Sequence, residues 1–477
     1  MFNMKKQIDL TWLLFFFVSF LISLLMLAIY ENNETYQWLF LLPMIYGIMA
    51  ILCSNFFNNI KKSKVIAIIV IGYFIKMVIA PFLFALGDYN SFFLGYVIID
   101  SMNQAILFII YEFIVIFSIA TLSLRNRDFT SHIQIESEKF SGTQRLFFII
   151  ILLCFFIIFS YNYVPEIKNI YLFITDYQVD DLVGIRWDNE TIVARGSIQR
   201  YIYSLFMFLW PLVRFLLPAV LIRLNYQKRG NTKKSIFLST LTLIIPFIFL
   251  GGDNLAPFVA ALFALLVIIK LYGQSGKKIA ILFGILGTVF LIGTIIGKLD
   301  ALSNWRGATG ITNLAQMLNS YIPGFDNTAI ALKMNDPHKV STFFLDIVSG
   351  IPFIGSFINV SGDTLNDIFV RVANTGGQIV PWGSGIGYYF SYFISPFISV
   401  MFVWFLLYKE ERSNNTSDFW TYYTNMIFSL YSAFAMIIYS TQIYIRFIWN
   451  ILIPVLIILY ITKAKERKKY DGVGMYE

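Results

Sequence analysis

Charge is what this sequence has least of. Of its 477 residues only 13% are Asp, Glu, Lys or Arg, against 58% hydrophobic. A soluble chain carries about a quarter charged residues to coat its surface, so most of this surface must face lipid. That excludes a soluble enzyme, a disordered tail protein and a nucleic-acid binder as descriptions of the whole chain. Cysteine is nearly absent. Cys53 and Cys154 both lie in apolar runs, which excludes a disulfide scaffold and a thiolate zinc site. The two histidines, His132 and His338, stand far apart, too few for a His-rich metal centre. There is no Walker loop, no Gly-x-Ser-x-Gly nucleophile elbow and no acidic pair spaced as in metal-dependent nucleotide-sugar transferases. No cofactor or metal is expected.

Long apolar runs are what the chain has instead. A helix needs roughly 20 mostly apolar residues to cross a bilayer. Runs of this kind predict an all-α polytopic membrane protein with about twelve spans, near 10–30, 37–57, 64–86, 101–124, 145–163, 201–223, 236–250, 255–272, 279–298, 386–408, 420–440 and 442–462. The first is expected to remain as a span. Its apolar run exceeds the ~7–15 residues of a signal core, and Tyr30-Glu31-Asn32 is no small-residue cleavage site.

Basic residues favour cytoplasmic loops, and their placement tests the count. With Lys5 and Lys6 in the cytoplasm, the segments expected inside carry Lys61, Lys62 and Lys64, then Arg125, Arg127, Lys139 and Arg145. They continue with Arg223, Lys228, Arg229, Lys233 and Lys234, then Lys270, Lys277 and Lys278, then Lys409 and Arg412, and a tail rich in Lys and Arg from Lys463 to Lys469. That is 24 of the 36 basic residues, while the short outer segments 31–36 and 87–96 carry none. Both termini are therefore expected in the cytoplasm. The net charge of +8 reads as a topology signal, not a nucleic-acid patch. No repeat of 20–50 residues and no similarity between halves is visible.

Two outer segments are longer than ordinary connections: 164–200, and 299–385 between the ninth and tenth spans. The chain thus divides into 1–298, the outer loop 299–385, and 386–477 with three spans and the basic tail. The large loop is rich in aromatics, from Trp305 to Trp382, and reads as a compact cap. Within it Val340 to Phe357 is too short to span and reads as a helix lying in the interface.

The remaining twelve basic residues carry the functional question. Lys76, Arg214 and Arg446 fall within spans, and Lys168, Arg186, Arg195, Arg200, Lys298, Arg306, Lys333, Lys339 and Arg371 in or beside the outer segments. An ion inside the membrane costs roughly 2.5–3.5 kcal/mol on insertion scales unless paired. Lys76 has a candidate partner in Glu112. Arg446 reads either as a headgroup anchor or as a ligand. Arg214, between Pro211 and Pro218, is far from either end of its span. Arg306 and Arg371 read as lipid-headgroup contacts or as part of a cationic site for an anionic substrate, for which guanidinium forks suit phosphate oxygens. Asp363 and Asp367 are spaced to share a helix face, either solvated or as a carboxylate pair. His338, in Asp336-Pro337-His338-Lys339, is an exposed turn histidine or a general base. Gly251-Gly252-Asp253-Asn254, flanked by Pro246 and Pro257, is an outer hairpin turn or an interrupted-span site.

The exit from the large loop reads Thr375-Gly376-Gly377-Gln378-Ile379-Val380-Pro381, then Gly385-Ile386-Gly387-Tyr388-Tyr389-Phe390 and Ser395-Pro396. With the span count, the C-terminal outer loop and the outer arginines, this run resembles the O-antigen polymerase family. The likeness covers the whole chain in topology and about twenty residues in motif. It departs from the family at Gly251-Gly252-Asp253-Asn254, where relatives often carry arginine, and Arg186 to Gly196 only approximates another family spacing.

The resemblance implies a GT-C-like membrane fold in the bacterial cytoplasmic membrane. It implies polymerisation of undecaprenyl-pyrophosphate-linked repeat units into O-antigen or capsular polysaccharide at the outer face. Donor and acceptor are both lipid-linked glycans, with a chain-length regulator as a candidate protein partner. The glycosyl–pyrophosphate bond supplies the energy, so no nucleotide is needed. On this reading Arg195, Arg306 and Arg371, then Arg186, Arg200 and Arg214, are the expected pyrophosphate ligands. Gln378 and Trp382 suit sugars, and Asp363 and His338 are the candidate bases. A ligase-type glycosyltransferase using the same donor, and a lipid-linked oligosaccharide flippase, are the alternatives.

Overall fold

The computed structural model describes residues 11–29, 36–87, 99–124, 141–163, 197–248, 255–285, 310–334, 339–351, 363–373, 380–438 and 440–460. Every element assigned among them is helical. Five helices are long and apolar enough to cross a membrane: Thr11–Ile29, Lys64–Leu86, Ser101–Ser123, Phe208–Arg229 and Thr441–Tyr460. A bent pair, Leu41–Leu52 and Ser54–Lys61, makes a sixth if taken as one span.

Helices stand at other expected positions but are shorter, broken or more polar. Arg145–Ser160 and Pro257–Tyr272 are short apolar helices. The expected span 236–250 is three pieces, Lys233–Leu241, Thr242–Ile244 and Ile245–Ile248. The expected span 279–298 is helical to residue 285 and then leaves the described residues, as does the turn at 251–254.

We number the helices in chain order: α1 (Thr11–Ile29), α2 (Leu41–Leu52), α3 (Ser54–Asn58), α4 (Lys64–Leu86), α5 (Ile99–Ser123), α6 (Ser141–Tyr163), α7 (Ser197–Arg229), α8 (Lys233–Leu241) and α9 (Leu255–Tyr272). There follow α10 (Gly310–Tyr321), α11 (Phe325–Leu332), α12 (Val340–Gly350), α13 (Leu365–Ala373), α14 (Trp382–Tyr389), α15 (Ser395–Asn414), α16 (Phe419–Ile438) and α17 (Thr441–Tyr460).

Helix α1 is apolar all round, so burial follows its small and polar residues. Ser19, Ile22, Ser23 and Met26 form the inward stripe, at i, i+3, i+4 and i+7, while Leu14, Phe17, Leu21 and Leu24 face outward. Gly47 of α2 lies in contact with Phe16 and Ser19, the close approach that small residues allow between membrane helices. The chain then turns through 81° between α2 and α3. The bend sits at Cys53, just before the polar run Ser54-Asn55. It returns Phe56 and Phe57 to the core, where they meet Phe117.

Serine and carboxylate side chains tie helix ends together. Ser63 caps α4 through Ile66 N–H at 3.1 Å. Glu410, near the end of α15, accepts from Lys64 N–H at 2.7 Å, from Val65 N–H at 3.3 Å and from the Ser63 hydroxyl. A buried anion on a helix N-terminus is favoured by the orphan N–H groups and the dipole there. Tyr272 of α9 bonds Ser235 and Ser239 of α8 at 2.7 and 2.9 Å. The Arg223 guanidinium lies over Phe419 at 5.2 Å and Lys270 over Tyr422 at 5.1 Å. The basic ends of α4, α7, α9 and α15 are therefore gathered at one end of the assembly.

The described parts of the large loop are helical and form no simple cap. Its helix α11 is buried on all sides, including Asp326, Asn327 and Thr328, and packs against α5. Phe325 meets Phe84 of α4 edge-on, and Thr312 of α10 donates to the Gly87 carbonyl at 3.3 Å. Loop helices thus interdigitate with the spans. Helix α12 ends at Gly350, before Pro352. Thr342, Asp346 and Gly350 form its buried face, while Val340 and Phe344 point out.

Candidate functional site

Of the run that carries the resemblance, residues 375–379 lie outside the described residues, and the rest leads from Val380 into α14 and the break after it. The expected tenth span at 386–408 is displaced. Trp382–Tyr389 is a separate eight-residue helix, buried throughout, and the long helix begins only at Ser395. Pro396 at the second helical position suits that start. The Ser395 hydroxyl donates to the Gly383 carbonyl at 2.5 Å, closing the turn between the two.

The glycines of α14 admit neighbours that a methyl group would exclude. A Cβ at Gly383 would overlap the Glu112 carboxylate, and one at Gly387 would overlap the Tyr392 ring. One at Gly385 would stand 2.8 Å from Thr441 Oγ1. Gly383-Ser384-Gly385 thus serves close packing. Glu112, on α5, lies at the first turn of α14, where the helix dipole favours an anion. Lys76 Nζ is 3.9 Å from Glu112 Oε2, and both side chains are almost wholly buried. The ion pair expected from the sequence is therefore present. Lys76 lies in a π-helical turn, Ile75–Ile79, inside α4. Such single turns recur at functional sites.

At the other end of α14, Tyr389 donates to Asp346 Oδ2 at 2.6 Å and lies 3.2 Å from Thr441 Oγ1. Leu365 N–H, at the start of α13, reaches both Asp346 oxygens at 3.4 Å. One buried carboxylate therefore joins α12, α13, α14 and, through Tyr389, α17. Burial pushes the Asp346 carboxyl up to about 6, against the lowering effect of Tyr389, the Leu365 N–H and the charge of Arg446. Gly350 brings α12 onto the last span, where a Cβ would stand 2.9 Å from Ile445. Asp346 does not stand out in the sequence, because one aspartate in Phe343-Phe344-Leu345-Asp346-Ile347 reads as the wet face of an amphipathic helix. Here it is the dry face.

The expected ligands and bases are distributed as follows. Arg371 and Asp363, given different roles on the sequence, are partners: Arg371 Nη2 is 2.7 Å from Asp363 Oδ2, and both are exposed. Asp363 and Asp367 do not share a helix face, because α13 starts at Leu365. Asp367 instead accepts from Thr364 N–H at 3.0 Å and from its hydroxyl at 2.6 Å, while its own N–H returns to Thr364 Oγ1 at 3.3 Å. This is a reciprocal capping box.

Trp382 is a core residue. It stacks on Phe402 at 4.9 Å, meets Tyr444 edge-on, and donates its indole N–H to Ser399 at 3.2 Å. Arg214 is buried within α7, on the stretch between its two prolines. Arg446 is exposed on α17. Arg200 lies in the first turn of α7, its side chain outside the described residues. Arg186, Arg195, Arg306, His338 and Gln378 also lie outside them.

What the structure brings together is thus a hub. The glycine-rich helix α14 links a buried Lys–Glu pair in the spans to the buried Asp346 carboxyl in the large-loop helices, with an exposed arginine on the neighbouring α13. No group of His, Cys, Asp and Glu suited to a metal occurs among the described residues. No family model, curated protein or solved structure matches the chain.

Proposed function

We propose that this chain is a twelve-span, GT-C-like membrane glycosyltransferase that polymerises lipid-pyrophosphate-linked repeat units at the outer face of a bacterial cytoplasmic membrane. The observation that carries the reading is the position of α14. The described part of the run that resembles the O-antigen polymerases forms the hub that fixes the large-loop helices to the spans, with Arg371 exposed on α13. In the reaction, the bond from the anomeric carbon of the growing glycan to pyrophosphate breaks, and pyrophosphate leaves with the electron pair. A hydroxyl of the incoming lipid-linked unit attacks that carbon and loses its proton to a base. On this reading Arg371, exchanging its partner Asp363 for the lipid pyrophosphate, stabilises the charge that develops on the leaving group. Asp346 is wholly buried, so it acts by positioning α12, α13 and α14.

The test is the banding of surface polysaccharide in cells expressing the full chain. Arg371→Ala should cut polymer formation roughly 100-fold at normal protein level, with Arg371→Lys retaining part. An unchanged ladder with Arg371→Ala would remove Arg371 from the site. The buried Lys76–Glu112 pair in the spans favours a second reading, a flippase for the same lipid. There, substitution of the pair would block appearance of the lipid-linked unit outside, while purified protein would make no polymer.

A further inference from the structure

The basic end of the molecule holds an open groove of about 420 Å³ between the end of α15, the first turns of α16 and the last turns of α17. That volume is within the range of small-ligand sites, roughly 300–1,000 Å³. Its walls are of two kinds. Arg412, Trp420, Thr424 and Asn425 form the polar side, and Leu456 and Tyr460 belong to the apolar side. Leu456 and Tyr460 are exposed along α17, so the groove continues outward onto the lipid-facing surface.

Three observations identify what it takes. First, Arg412 is exposed and no carboxylate among the described residues forms an ion pair with it. The nearby Asp418 is engaged in capping α16 through Thr421 N–H at 3.1 Å and the Thr421 hydroxyl at 2.5 Å. Second, the indole N–H of the buried Trp420 has no acceptor among the described residues. Third, the surrounding end of the molecule is positive: Lys64, Arg223, Lys270 and Lys409 lie there. A guanidinium, an indole donor and polar side chains above an apolar wall are what a lipid phosphate over acyl chains requires. Basic pockets between spans on the cytoplasmic side bind anionic headgroups by this logic.

We propose that this groove is a binding site for one anionic phospholipid of the cytoplasmic leaflet. Arg412 holds its phosphate, Trp420 donates to its headgroup region, and Leu456 and Tyr460 run along its chains. The site is at the opposite end from the outer-loop helices, so it stands whether or not the chain is a polymerase.

The test uses the full chain in nanodiscs of equimolar phosphatidylglycerol and phosphatidylcholine with matched acyl chains, read by native mass spectrometry of retained lipid. The wild type should retain one phosphatidylglycerol in preference to phosphatidylcholine. Arg412→Gln should lower that preference about fivefold, the factor for one basic residue at a charged surface. Trp420→Phe should lower it about threefold, the worth of one hydrogen bond. Lys409→Gln should change it little, since Lys409 lies over Phe405 and Phe428 and does not line the groove. Equal retention of both lipids by the wild type would overturn the proposal. So would an equal loss in Arg412→Gln and Lys409→Gln, which would mean diffuse attraction to a basic surface. Displacement of the lipid by excess inorganic phosphate would assign the groove to free phosphate instead.

Discussion

Lys76 and Glu112 meet at 3.9 Å with little solvent at either. Their attraction offsets part of a desolvation cost of several kcal/mol per ion, and removing one partner leaves the other uncompensated. Lys76→Met should destabilise the protein by about 3–5 kcal/mol, and adding Glu112→Gln should recover much of it. Thermal unfolding in one detergent measures both. No recovery in the double variant would mean that the pair is not a closed unit. The pair was legible in the sequence because an ion in an apolar run needs a counter-ion, and few candidates exist. The Asp363–Arg371 bridge was not, since it joins a residue before a helix to one in its second turn, and only the start of α13 at Leu365 sets that geometry. Trp382 was misleading for a related reason. An aromatic in an outer loop reads as a sugar platform until the loop is seen to fold into the core.

At the scale of elements, apolar runs located the helices well, but breaks inside such runs carry no signal in hydrophobicity. The bend at Cys53 and the turn between α14 and α15 both interrupt segments that read as continuous spans. The glycines of α14 marked the second place, as residues that permit close approach. Gly383→Ala should cost about 1–3 kcal/mol, the usual penalty of overpacking, because its methyl overlaps the Glu112 carboxylate. Gly284→Ala, where a Cβ meets nothing within 4 Å, should instead be neutral or gain up to ~1 kcal/mol of helix propensity. Equal effects in the same unfolding assay would mean that α14 is less tightly seated than described.

Helix α12 shows the opposite difficulty: its pattern was legible and its orientation was not. Val340 and Phe344 are exposed, while its polar face turns inward, which buries Asp346. Its carboxyl is raised to about 6 from an ordinary 3.8, so the protonated form is the one the fold prefers. Its contribution is complete only well below pH 3.8 and is lost as pH rises from there through about 6, by up to roughly 3 kcal/mol in all. Unfolding of the wild type between pH 4.5 and 7.5 should show most of that fall, about 2 kcal/mol, and Asp346→Asn should flatten it. A pH profile identical in the two proteins would contradict the assignment.

For the whole molecule, the basic residues expected inside were read from charge bias alone, and the fold gathers their helix ends into one place. Glu410 on α4, Arg223 on Phe419 and Tyr272 between Ser235 and Ser239 bring together loops far apart in sequence. The large-loop helices α10, α11 and α12 meet the other ends of α4 and α17. The molecule is thus polar along its axis, with a cationic end and a helical end built around α14. Polymer formation is the central claim. The measurement that decides it is reconstitution of the full chain in vesicles with a lipid-pyrophosphate repeat unit, without nucleotide or added metal, with products resolved by length. A ladder of multiples that Arg371→Ala abolishes is the result this account predicts. Unpolymerised repeat units under conditions where the wild-type protein is folded would contradict it.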